Sequence, residues 1–184
     1  MYMRHSNVLL AVLLVAISAV GVAPLVHAQT VALPDGSTLD LSVACQVCNM
    51  KVGASTLGPA ALVLADGKVI GFDGTGDLFR HVLEPQKYGL DTAAIKHLFV
   101  TEYGTKTFLD AKKAFYVTGS DVTGHMGPDV VAFSKKEDAE KFKADHHGAK
   151  VAAYAQLTLD DLKAKKKMLK MKEEGGHDHG GMKH

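Results

Sequence analysis

The feature that most limits the fold is a succession of strand, strand, helix and strand that occurs twice along the chain. In residues 60–103 an apolar run, Ala60–Leu64, leads through the hairpin signal Asp66-Gly67 to a second run, then to a helix and a third strand. The same order returns in residues 113–154, although the halves share little residue identity. Short strands mixed with helices in this way favour an α+β fold. We therefore expect two small ββαβ modules packed together.

The ends of the two helices carry recognisable signals. The first helix is predicted over Asp77–Leu83, with Pro85 as its stop. The second is expected to begin at the N-cap Ser134, completed by a Glu three residues later as a capping box, and to run to about Asp145. Gly148 is expected to supply the left-handed cap.

The N-terminus has the pattern of an export signal. Arg4 precedes the largely apolar stretch Val8–Val22, and Val26-His27-Ala28 fits a small-residue cleavage site. We expect residues 1–28 to be removed and the mature chain to be periplasmic or secreted, without a stable membrane span; a retained anchor is the alternative. No cysteine lies near the cleavage point, so no lipid attachment is expected there.

The rest of the chain divides by composition. A neutral balance of 21 basic and 20 acidic residues argues against a nucleic acid partner, and the sequence sets no oligomeric state. The C-terminal end is rich first in lysine, where a helix is expected, and then in glycine and histidine, where the tail is too polar to fold alone. The predicted segments are a signal peptide (1–28), a lead-in (29–44), a first module (45–110), a second module (111–157), a Lys-rich helix (158–174) and a disordered His/Met tail (175–184).

The chain has two cysteines, Cys45 and Cys48, and a methionine, Met50, follows them closely. Thiolate and thioether sulfurs are soft donors that favour Cu(I). The same C-x-x-C spacing also occurs in redox dithiols and in small structural disulfides, so three interpretations stay open. Zinc needs about four ligands and there is no second C-x-x-C, which makes it a weak candidate unless histidines join.

Further candidate donors occur in a glycine-flanked loop and in the tail. Met126 lies in Gly124-His125-Met126-Gly127, where it is either an exposed ligand or a side chain at the edge of the core, and His125 is either a further donor or a loop residue. The tail offers a secondary metal set of His177, His179, Met182 and His184. We find no nucleophile arrangement and no visible pairing of acidic residues, and we do not expect an enzyme.

Taken together, these motifs resemble the NosL family, the copper-binding accessory proteins of nitrous oxide reductase maturation. The similarity runs from about Asp40 to Leu157. It rests on Cys45-Gln-Val-Cys48-Asn-Met50, Gly71-Phe-Asp73, Thr101-Glu-Tyr103, Asp110-Ala-Lys-Lys-Ala-Phe-Tyr-Val117, His125-Met126-Gly127-Pro-Asp-Val-Val-Ala-Phe133, Asp138-Ala-Glu-Lys-Phe142 and His147-Gly148.

The resemblance implies an exported protein of two ββαβ modules with one Cu(I) held between them. Cys48, Met50 and Met126 would be the ligands, with Cys45 or His125 as an optional fourth donor. Asn49 stands where the family commonly has Gly, His125 stands where Pro is common, and the lipoprotein cysteine usual in the family is missing.

The sequence therefore predicts a Cu(I) metallochaperone that delivers copper to a periplasmic copper enzyme such as nitrous oxide reductase. The alternatives are a thiol-disulfide oxidoreductase that uses Cys45 and Cys48, or a metal buffer that acts through the tail.

Overall fold

The computed structural model describes residues 29–125 and 127–162. The predicted signal peptide, most of the predicted Lys-rich helix, the His/Met tail and Met126 lie outside the described residues. Residues 159–162 are helical, in agreement with the predicted start of the Lys-rich helix.

The first module is built around a four-stranded antiparallel sheet. Its strands are β3 (Ala60–Leu64), β4 (Val69–Phe72), β5 (Ile95–Thr101) and β6 (Phe108–Asp110), in the spatial order β4-β3-β5-β6. The Asp66-Gly67 turn joins β3 to β4, with Gly67 at φ 87°. Helix α1 (Thr75–Leu83) connects β4 towards β5, and β3 is central.

The second module repeats this topology. Strands β7 (Phe115–Thr118), β10 (Val131–Phe133) and β11 (Lys150–Ala153) form a sheet in the order β10-β7-β11, and α3 (Lys136–Asp145) links the last two. The first strand of each module is thus central, with the second and last strands antiparallel to it on either side. The α+β prediction of two ββαβ modules is confirmed.

The lead-in segment covers the first sheet. Strands β1 (Thr30–Ala32) and β2 (Thr38–Asp40) pair as a hairpin, and the chain then runs on towards the cysteines. Gly71 of β4 lies beneath this segment, and a Cβ at Gly71 would be only 2.9 Å from Leu39 and from Val52. Glycine at this position lets the lead-in pack directly on the sheet.

Helix α1 lies between the two sheets. Phe72 of β4 contacts His81 on one side of the helix, while Phe79 makes an edge-to-face contact with Tyr116 of β7 at 4.9 Å between ring centroids. Successive residues of β7 face opposite ways, so Tyr116 joins the main core and Val117 joins a smaller cluster under α3. The resulting order is first sheet, α1, second sheet, α3, and it brings the start of α1 close to both modules.

Several local predictions need correction at the helix ends. Helix α1 begins at Thr75 rather than Asp77. It ends at Leu83 as predicted, and Pro85 then starts a separate short helix, α2 (Pro85–Tyr88). This is consistent with the preference of Pro for the first helical turn, where its missing N–H costs nothing.

The second helix also differs in its caps. Lys135 rather than Ser134 is the N-cap of α3, and no side chain caps the helix there. The left-handed residue after the helix is His147, at φ 53°, and not Gly148. Gly148 is needed for a different reason, because a Cβ there would lie 2.6 Å from Val117.

The predicted loop 122–128 contains a small hairpin. Strands β8 (Thr123–Gly124) and β9 (Gly127–Pro128) pair with each other between β7 and β10. Within the described residues, no helix is long and apolar enough to cross a bilayer.

Candidate metal centre

A tight loop holds the two cysteines close together. The amide of Cys45 donates to the carbonyl of Met50 at 2.7 Å, and the amide of Asn49 donates back to the carbonyl of Cys45 at 2.9 Å. Asn49 has φ 61°, a left-handed conformation that Gly adopts freely and that Asn tolerates better than most residues. The loop geometry thus explains why Asn can stand where the family commonly has Gly.

Two aspartates face this loop from the junction of β4 and α1. Asp73 follows the last residue of β4 and precedes the helix, and Asp77 lies four residues later, in the first turn of α1. Both are buried, at 4% exposure each. The two carboxyl groups hydrogen-bond to each other, so they lie side by side.

The four side chains form one cluster of metal-ligand atoms. Single ligand atoms of Cys45, Cys48, Asp73 and Asp77 all lie within 4.8 Å of one another. The Cys45 thiol is buried and donates to Oδ2 of Asp77 at 3.4 Å, and Cys48 is half-buried. Neither cysteine is in a disulfide.

Burial and like charge favour the protonated forms of the two thiols and of Asp73. Burial raises the pKa of both thiols, and the Asp77 carboxylate raises them further. Burial, followed by the hydrogen bond and charge of Asp77, raises the pKa of Asp73 to about 6. A cation that enters the cluster would relieve this repulsion and displace protons.

Three kinds of interaction offset part of the negative charge. Arg80 forms an ion pair with Oδ1 of Asp77 at 2.5 Å, one turn along the same helix. Backbone hydrogen bonds from Cys48 and Asp73 to the Cys45 sulfur act to lower the pKa of that thiol, against the effect of burial. The cluster also lies at the N-terminus of α1, where the helix dipole favours anions.

The second module contacts the centre through Asp129. This residue lies between β9 and β10, and its Oδ1 accepts the amide of Gly76, in the first turn of α1, at 2.8 Å. The charge of Asp129 also contributes to the raised pKa of Asp73. Gly74 and Gly76 are both required by this approach, because a Cβ on either would lie closer than 3.0 Å to the Asp129 carboxylate.

The structure brings together only some of the residues predicted from the sequence. Cys45 and Cys48 meet in one cluster, and Met50 is half-buried at the end of the same loop. His125 is exposed at the turn of the β8–β9 hairpin, next to Met126, which is outside the described residues. The tail residues His177, His179, Met182 and His184 also lie outside them.

Sequence reasoning missed the carboxylates of the centre. Asp73 and Asp77 are paired with each other, so the interpretation of the acidic residues as scattered was wrong at this point. The available signal was their spacing: an aspartate directly after an apolar strand and another four residues later, at a predicted helix start. Nothing in the sequence showed that the cysteine loop would lie against them.

Fold and site together define an α+β protein of two ββαβ modules with a cluster of thiol and carboxylate ligands at their junction. A model of the NosL family matches residues 37–162, and the chain belongs to that family.

The chain is similar to characterised members of the family. It is 28% identical over 143 residues to the copper-binding lipoprotein NosL of Stutzerimonas stutzeri, a match that covers 73% of this chain and 70% of that protein. The crystal structure of the copper chaperone NosL from Shewanella denitrificans is 30% identical, with a TM-score of 0.56 over 65% of this chain and 92% of that one. The solution structure of the apo-NosL protein from Achromobacter cycloclastes is 28% identical, with a TM-score of 0.42 over 54% of this chain and 84% of that one.

Proposed function

We propose that this protein is an exported Cu(I)-binding metallochaperone. Cys48, Met50 and Met126 form the copper site, with Cys45 or His125 as a further donor. The observation that carries the proposal is the contact of Asp129 with Gly76, which holds the base of the hairpin segment 123–128 against the cysteine-facing end of α1.

The donor chemistry supports copper in its monovalent state. Cys48 and Met50 are two residues apart at the end of one loop, and thiolate with thioether is the soft set that Cu(I) prefers. The names of the relatives, a copper-binding lipoprotein and a copper chaperone, agree with this choice.

The raised thiol pKa values give the site a pH dependence. Cu(I) must replace the proton of Cys48, whose pKa burial holds above its ordinary value. Each copper bound therefore releases a proton, and affinity falls as the pH falls. Release in a more acidic setting, or to a client that offers a deprotonated ligand, is correspondingly easier.

The delivery role follows from a site of few ligands at a surface loop. Cys48 is only half-buried and Asn49 beside it is exposed, so a client ligand can approach the ion from outside. With three protein ligands an incoming donor can bind before a protein ligand leaves, which allows stepwise transfer. We infer that the client is a periplasmic copper enzyme such as nitrous oxide reductase, reached after export by the signal in residues 1–28.

A thiol-disulfide oxidoreductase is the less favoured function. Catalytic dithiols lower the pKa of the attacking cysteine with positive neighbours or a helix N-terminus in line with the thiol. Here the cysteines lie in a loop between β2 and β3 rather than on a helix, and Asp77 raises the pKa of both thiols. An attacking thiolate is disfavoured in this environment.

The test is an anaerobic Cu(I) titration of the exported chain against a competing chelator at several pH values. We expect Cys48→Ser and Met126→Leu each to weaken Cu(I) binding at least tenfold. Losing a residue that only supports a metal ligand typically lowers affinity by at least that factor, so losing a ligand itself should cost no less. Met168→Leu makes the same chemical change in the predicted Lys-rich helix and should leave the affinity unchanged.

Two outcomes would contradict the proposal. If Cys48→Ser and Met126→Leu bind Cu(I) as tightly as the parent chain, the shared site does not exist. If deletion of residues 175–184 removes the bound copper instead, the tail is the binding element and the protein is a buffer.

A further inference from the structure

We propose that Cys45, Cys48, Asp73 and Asp77 form a second kind of metal site, one that takes a divalent ion of the Zn²⁺ class. This site uses no methionine and shares only the cysteines with the proposed Cu(I) site. It goes beyond the proposed function because it gives the same pocket a distinct, divalent-loaded state.

The geometry is close to that of a four-coordinate centre. Ligands at the usual Zn²⁺ distances of about 2.0–2.3 Å on a tetrahedron lie about 3.3–3.8 Å from one another. The four ligand atoms here are within 4.8 Å of one another. A contraction of about 1 Å at the widest pair therefore completes the shell, and the half-buried Cys48 is on a loop that can supply it.

The supporting contacts leave the required atoms facing each other. Arg80 binds Oδ1 of Asp77, while Oδ2 accepts the Cys45 thiol at 3.4 Å. Replacing that thiol proton with a metal ion keeps both groups where they are. Carboxylates oriented by a neighbouring cation and cysteines oriented by backbone amides are the supporting interactions typical of metal ligands.

Charge and softness select the class of ion. Two thiolates and two carboxylates carry four negative charges. Among the described residues, Arg80 is the one cationic side chain in contact with them. A divalent ion neutralises this set better than a monovalent one. Carboxylate oxygens are also poor ligands for Cu(I) but ordinary ligands for Zn²⁺, which accepts a mixture of sulfur and oxygen.

The sequence interpretation made zinc a weak candidate unless histidines joined, because there is no second C-x-x-C. The missing ligands are the two aspartates, which the fold brings from 25 or more residues away along the chain. Since Cys48 serves both sites, the two metals must exclude each other: a divalent ion draws the loop onto Asp73 and Asp77, and Cu(I) draws it towards the methionines.

The experiment uses Co²⁺ as a spectroscopic probe on the full chain, reduced and without oxygen. A thiolate-to-cobalt charge-transfer band reports only an ion bound to cysteine, so the histidine tail cannot produce it. We expect one thiolate-bound Co²⁺ per chain with the visible bands of four-coordinate cobalt, and loss of the charge-transfer band when Zn²⁺ displaces that Co²⁺.

The variants separate this site from the copper site. Asp73→Asn should weaken Zn²⁺ binding at least tenfold and leave Cu(I) affinity within about threefold. Asp138→Asn, the same change on the exposed face of α3, should alter neither. X-ray absorption of the Zn²⁺-loaded parent chain needs no variant and should show two sulfur and two oxygen neighbours.

The inference fails if Co²⁺ gives no charge-transfer band, if the zinc has no oxygen neighbours, or if folded Asp73→Asn binds Zn²⁺ like the parent chain. Failure of the copper proposal has a different signature. It would leave the cobalt and zinc results intact while Met126→Leu bound Cu(I) normally.

Discussion

The contact between Gly76 and Asp129 allows a test in which the usual effect of a mutation is reversed. Gly76 is the second residue of α1, and replacing glycine by alanine inside a helix ordinarily stabilises it by up to about 1 kcal/mol. Here the added Cβ would lie closer than 3.0 Å to Oδ1 of Asp129, the atom that accepts the Gly76 amide. The carboxylate must move, and the hydrogen bond is lost.

The expected magnitude follows from these two opposing terms. A hydrogen bond to a charged group contributes about 1.5–3 kcal/mol. Subtracting a helix-propensity gain of about 1 kcal/mol leaves a net destabilisation of about 0.5–2 kcal/mol for Gly76→Ala. The loss should appear as a lower midpoint of urea unfolding. The dependence of the unfolding free energy on urea concentration should stay unchanged, since unfolding exposes the same surface.

A double-mutant cycle separates the clash from any general effect on the helix. In an Asp129→Ala background there is no carboxylate to displace, so Gly76→Ala should be neutral or stabilising, with a coupling energy of about 1.5–3 kcal/mol. Gly104→Ala serves as the control, because its added Cβ meets Glu102 only at an ordinary 3.4 Å. Equal destabilisation by Gly76→Ala in both backgrounds would refute the assignment of Asp129 as a stabilising contact between the modules.

Two further predictions concern the site and the core. Because the folded state raises the pKa of Asp73 to about 6 from 3.8, its ionisation destabilises the metal-free fold, and this penalty grows as the pH rises between those values. Asp73→Asn should therefore raise the free energy of unfolding by up to about 3 kcal/mol at pH 7.5, and this gain should be gone near pH 4. Urea unfolding of both chains at the two pH values measures the difference. No gain in stability at pH 7.5 would contradict the prediction. Tyr116→Phe should lower the free energy of unfolding by about 1–3 kcal/mol in the same assay. The buried Tyr116 hydroxyl donates to the Ala111 carbonyl at 2.5 Å, and the substitution leaves that carbonyl without its partner. An unchanged free energy of unfolding would contradict this and would mean that water replaces the hydroxyl.

The fold was predictable from the sequence because its signals are local. The Asp66-Gly67 turn fixes the β3–β4 hairpin, and the apolar runs on either side are long enough to be strands. The helix boundaries were less accurate, since they depend on contacts between distant parts of the chain. Helix α1 starts early at Thr75 because the Gly76 amide finds Asp129, and Gly148 is required by the packing of Val117 rather than by its own backbone conformation.

The centre was predictable only where it is local. Cys45, Cys48 and Met50 are adjacent in sequence, and soft-ligand chemistry identifies them directly. The spacing of Asp73 and Asp77 shows only that two carboxylates are near each other, and their cysteine partners come from another segment. Met126 and its distance from Cys48 stay a prediction, since that residue lies outside the described part of the chain.

We expect metal binding at the proposed site to be linked to the association of the modules. Asp73 and Asp77 meet the cysteine loop on one side of the start of α1, and Asp129 of the second module binds the same turn at Gly76. We expect a metal ion bound at the proposed site to favour the Asp129 contact, and by reciprocity a change at Asp129 would then alter metal affinity by the same free energy. Gly76→Ala should therefore bind metal more weakly although its side chain touches no ligand, and the metal should stabilise it less than it stabilises the parent chain.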